Sequence, residues 1–186
     1  MKFSSFAAAL LLMIAFAFSA QAQIVFDKPK EKPPLDNPYT INMSREQIVK
    51  ELQEVLQGCK ITLDLDKTKV ERGHFVTKPF VFTQGLNVKT DLENVSRLPA
   101  GDARSWLKGR YALEINILPL DEKRSQLQIL AYIQGQIADI AGTKWIDSPS
   151  NGKLEDETMR GLAGKIIGID LGKKENAKRR IMNCEF

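Results

Sequence analysis

Histidine is all but missing from this chain, with His74 its single representative. That scarcity excludes the familiar two- and three-histidine metal sites and leaves any nucleophile only one imidazole to lean on. A glycine-rich phosphate loop, a metal-binding cysteine pair and a GxSxG elbow are also lacking. Charge of one sign is scarce too: 27 Lys and Arg stand against 23 Asp and Glu, a formal +4. A dedicated nucleic-acid binder carries a denser basic surface, so nucleic acid is not expected as a partner. The longest apolar run, Phe6 to Phe18, is shorter than the ~18–20 residues that span a bilayer. No enzyme, metal or cofactor is therefore expected. Asp64 and Asp66 read as a solvated strand face, and Glu155-Asp156-Glu157 as acid placed against the positive end of a helix dipole.

What is present begins with a destination label. Lys2, the apolar run and the small-x-small Ala20-Gln21-Ala22 form a cleavable signal over residues 1–22, with a mature start at Gln23. No cysteine lies at the cleavage region, so a lipoprotein anchor is not expected. The product is expected in the periplasm or secreted, with at most peripheral membrane contact. The remaining 164 residues make one domain with a proper core. An oxidising compartment permits a Cys59–Cys184 disulfide that closes nearly the whole domain; two separate thiols are the alternative.

Pro29, Pro33, Pro34 and Pro38 among lysines mark residues 23–43 as an extended linker, ahead of a domain over 44–186. Ser44 with Gln47 is a capping box, and Ile48, Leu52, Val55 and Leu56 form the apolar stripe of a helix stopped by Gly58. Ile61, Leu63 and Leu65 alternate as a strand, and Val70 to Phe82 reads as a second extended region disturbed by Pro79. Leu86 to Arg104 reads as a long surface excursion, with a flap over the sheet as the functional alternative. Ser105–Leu118 and Ser125–Asp139 are two long strands. On the first, Leu107, Gly109, Tyr111, Leu113, Ile115 and Ile117 share one face; Trp106, Lys108, Arg110, Glu114 and Asn116 share the other. A helix from about Asn151 to Leu171 follows, its stripe running through Leu154, Leu162, Ile166 and Ile169.

The expected fold is thus α+β: an N-terminal helix, a four-stranded curved antiparallel sheet and a C-terminal helix packed across it. That order, with a loop of the type Trp145-Ile146-Asp147-Ser148 through Gly152-Lys153-Leu154-Glu155 before the last helix, resembles helix-grip domains. Those of bacterial envelope lipoproteins, such as component C of the outer-membrane β-barrel assembly machinery, are the nearest in kind. The chain departs from them in lacking a lipid-bearing cysteine and in having one such domain. The resemblance implies a non-catalytic adaptor in the cell envelope.

Two functions remain open. One is a protein-interaction or scaffolding module working through a strand edge or an outer face bearing Trp106, Lys108 and Arg110. The other is a carrier of an apolar small molecule or lipid held between sheet and last helix, lined by Phe80, Tyr111, Ile115, Ile129 and Leu162. The same five residues serve equally as plain core. The basic run Lys173, Lys174, Lys178, Arg179 and Arg180 complements a helix C-terminus or meets an anionic partner.

Overall fold

A computed structural model describes residues 33–171 together with Met182 and Cys184. The expected signal over 1–22 and the basic run from Lys173 to Arg180 lie outside the described residues.

The architecture is α+β, built on two long strands, β4 (Trp106–Pro119) and β5 (Ser125–Asp139), paired antiparallel from Pro119↔Ser125 to Trp106↔Ile137. Period-two alternation puts Leu113, Ile115 and Ile117 of β4 and Leu127, Ile129 and Ile133 of β5 on one buried face. Each long strand is flanked along its outer side by two short ones. β1 (Tyr39–Ile41) and β6 (Gly142–Ser148) pair with β5, while β2 (His74–Val76) and β3 (Phe80–Gln84) pair with β4. Among the described residues the sheet therefore has six strands rather than four.

Three helices pack on the apolar face: α1 (Arg45–Gly58), α2 (Val88–Val95) and α3 (Lys153–Ile167). In α1 the capping box forms as expected, with Gln47 N–H donating to Ser44 Oγ and Ser44 N–H to Gln47 Oε1. Helix α3 buries Leu154, Met159, Leu162, Ala163 and Ile166. It stops before the expected Leu171 because Gly168 takes a left-handed φ of 69°, which leaves Ile169 58% exposed.

Several expected elements change character. Leu63 makes one isolated bridge to Thr77 instead of a strand over 61–66, because the amides of Lys67 and Thr68 turn back onto the Asp64 carbonyl. The extended region 70–82 divides into a 3-10 turn (Val70–Arg72), β2 and β3. Pro79 stands just ahead of β3, and both strands pair with β4, so the disturbance expected there takes the form of a break between two strands. The surface excursion at 86–104 contains α2, whose Val88, Leu92 and Val95 are buried. Beyond it, Asp102 accepts hydrogen bonds from the Arg104 side chain and amide, and that guanidinium holds the Asp102 carboxyl down at about 2.

The linker expected over 23–43 is, from Pro33 on, part of the fold. The Asn37 side chain bridges the gap that β1 and β6 leave along β5, donating to Ile129 O at 2.6 Å and accepting from Ile129 N at 3.0 Å. Buried Asp156 accepts from Leu35 N and Arg160 Nε, and Arg160 also donates to Pro33 O and Leu171 O. One buried ion pair thus fastens both ends of the described chain to α3.

The cysteines meet as a Cys59–Cys184 disulfide across a sequence separation of 125. In the chain-entropy picture a loop of that length confers about 5 kcal/mol. Met182, two residues before the bond, is buried in the core and donates its amide to the Tyr111 hydroxyl at 2.9 Å. Burial pushes that hydroxyl up to about 12.

Trp106 is the main displacement from expectation. A bulge between Trp106 and Lys108 shifts the alternation, so Trp106 turns to the helix side, 7% exposed, and Leu107 turns outward. The indole lies on Gly135, where an added Cβ would collide with its ring and stand 2.9 Å from Leu92 Cδ1. Gly135→Ala is expected to destabilise the fold by about 1–3 kcal/mol in denaturant unfolding. Gly58→Ala, which meets open space at the end of α1, is expected to be neutral or mildly stabilising. Equal midpoints for the two variants would refute this packing.

Candidate functional site

The sheet face opposite the helices is polar, and no described helix covers it. Strand alternation sends Lys108, Arg110, Glu114 and Asn116 of β4 to this side, with Gln128, Leu130, Tyr132, Gln134 and Gln136 of β5 beside them. From the edges come His74 of β2 and Trp145 and Asp147 of β6. The turn carrying Asp64 and Asp66 rises along the β2 edge. It encloses a cleft of ≈650 Å³, bounded by Asp66, Lys69, His74, Glu114 and Tyr132.

Two hydrogen-bonded groups organise the face. Near β2, Glu114 accepts from the Tyr132 hydroxyl at 2.7 Å and from Asn116 Nδ2 at 3.3 Å. His74 Nδ1 is 2.7 Å from Asn116 Oδ1 and 3.7 Å from Glu114 Oε1. The Tyr132 hydrogen bond holds the Glu114 carboxyl below its ordinary range, and the same bond raises the Tyr132 hydroxyl. Near β6, the Arg110 guanidinium stacks on the Trp145 ring, 3.9 Å from its centroid. Its Nε donates to Gln134 Oε1 at 2.8 Å, and Gln134 Nε2 donates to Asp147 Oδ1 at 2.7 Å. Side chains so cross-braced on rigid strands are ordered before any partner arrives, which lowers the entropic cost of binding.

Of the expected interaction surface, Lys108 and Arg110 lie on this face and Trp106 does not. Trp145, expected in a loop, stands beside Arg110 in its place. The signal for it was the period-two run Thr143-Trp145-Asp147 directly after Gly142, short enough to pass for a loop. The residues expected to line an apolar cavity all join one core cluster: Tyr111, Ile115, Ile129 and Leu162 are at most 3% exposed, and Phe80 packs against them with its ring 5.9 Å from that of Tyr111. These residues pack against one another as core on the helix side.

Among the described residues no three His, Cys, Asp or Glu side chains are grouped to hold a metal ion. No described helix is long and apolar enough to cross a membrane. No family model, curated protein or solved structure matches the chain.

The Glu114 shift has a pH consequence. A carboxyl depressed on folding stabilises the fold fully above its unfolded value, close to the ordinary 4.5, and that contribution fades as pH falls through the lower folded value. Tyr132→Phe is expected to move the Glu114 titration upward, read by carboxyl NMR, and to shrink the acid-side stability difference. An unchanged Glu114 titration in that variant would show that Tyr132 does not set it.

Proposed function

We propose that the chain is a non-catalytic exported envelope protein that acts as an interaction or scaffolding module through the helix-free face of its sheet. The observation that carries this reading is the Arg110–Trp145 stack. A guanidinium held flat on an indole, with its Nε anchored by Gln134, leaves both terminal amino groups free of protein hydrogen bonds among the described residues. Arginine and tryptophan pre-set in this way are the residue types that dominate binding energy at protein interfaces. Lys108, whose cross-strand partner Gln136 lies beside Trp145, extends the patch.

Export is supported by the sequence of residues 1–22 and agrees with a Cys59–Cys184 disulfide, which persists in oxidising compartments. A helix-grip relationship to envelope lipoproteins stays part of this proposal and rests on the order of elements alone. The partner is an envelope protein, met on the sheet rather than on the helices.

Native mass spectrometry of the protein purified from its own host tests the reading. The expected result is a ligand-free mass for the chain together with a complex containing a second protein. Arg110→Ala is expected to weaken that complex by about 2 kcal/mol, close to thirtyfold. A retained apolar ligand, with no complex sensitive to Arg110, would overturn the module in favour of a carrier.

A further inference from the structure

Beside the Arg110–Trp145 stack, the same sheet face holds the cleft between β4, β5 and the Asp64–Lys69 turn, and its chemistry differs from that of the stack. Its ≈650 Å³ lies in the ordinary range of ligand clefts. Three carboxylates, Asp64, Asp66 and Glu114, face three cations, Lys67, Lys69 and Arg110, so the lining has no net charge apart from His74. With carboxylates and cations equal in number, the lining as a whole favours neither a polyanion nor a polyamine. The floor is Ala112, which leaves room above the strand, and across it stands Tyr132, 54% exposed, fixed through its hydroxyl to Glu114.

The geometry points to a neutral oligosaccharide as the ligand of this cleft. Sugar hydroxyls donate and accept at once, so one ring satisfies carboxylates and ammonium groups together. The apolar C–H face of a pyranose matches the exposed Tyr132 ring, much as a nucleic-acid base matches an aromatic platform. Glu114, positioned by Tyr132 and Asn116, is an oriented acceptor for a pair of hydroxyls. The cleft is thus a second binding function that adjoins the protein contact at Arg110, and a chain carrying both would join an envelope protein to a glycan.

Titration of the isotope-labelled chain with tetramers of β-1,4-linked glucose and of β-1,4-linked N-acetylglucosamine tests this by NMR. Saturable shifts are expected at the amides of Asp66, Ala112, Glu114 and Tyr132 with at least one tetramer. Tyr132→Ala is expected to weaken binding about tenfold, the worth of one aromatic contact. Tyr132→Phe, which keeps the ring, retains most of the affinity and guards against a folding artefact. Trp145 lies outside the cleft lining, so Trp145→Ala is expected to weaken the protein complex more than the oligosaccharide affinity and Tyr132→Ala the reverse, which lets the two readings fail separately. No saturable shift with either tetramer would overturn the proposal. Shifts that ignore Tyr132→Ala, or that inorganic phosphate or glycylglycine abolish at equal concentration, would overturn it as well.

Discussion

The pairing of β4 with β5 is the constraint on which the remaining structure depends. Two strands of 14 and 15 residues, apolar at every second position on one side, cannot leave that side in water. Three amphipathic helices cover it, and the short edge strands extend it where their own side chains join the core. Because the alternation holds from Lys108 onward, burying one face defines the other: whatever is polar at the intervening positions is displayed on a rigid plane. The candidate site is the second face of the surface that folds the protein.

The two sides are also held by different means. The helix side is cohesive through Ile48, Leu52, Ile115, Ile129 and Leu162, all essentially inaccessible. The disulfide and the Asp156–Arg160 pair pin the ends of the described chain to the helix layer. The open side has hydrogen bonds between side chains, Tyr132 to Glu114 and Gln134 to Asp147. These contribute little to global stability at a solvated surface. Their effect is to choose rotamers, which matters for binding more than for folding.

The parts legible in the sequence were those with strong local periodicity. The Ser44 capping box, the stripe of α1 and both long strands emerge because propensity, pattern and packing agree there. Helix α2 was missed although Val88, Leu92 and Val95 have helical spacing, since eight residues between polar neighbours give a weak signal. β1 is a three-residue edge strand whose existence depends on a partner distant in the chain, whereas β6 folds straight back on β5 at Asp139↔Gly142 and is hidden by its short, half-polar run. The face of Trp106 is illegible for a sharper reason: a single bulged residue reverses the face of everything on one side of it, and nothing in Ser105-Trp106-Leu107 announces the bulge. Lys108 and Arg110, beyond the bulge, were placed on the correct face. Their aromatic companion on that face is Trp145, not Trp106.

The central claim is that one face of the sheet is closed core and the other is the working surface. Side-chain oxidation footprinting, carried out on the isolated chain and again in its native envelope, tests that claim most directly. The account predicts that Tyr132 and Trp145 are labelled in isolation and protected in the envelope, while Trp106 and Tyr111 stay unlabelled in both. Labelling of Trp106 and Tyr111 in the isolated chain, or equal labelling of Tyr132 and Trp145 in the two settings, would contradict it.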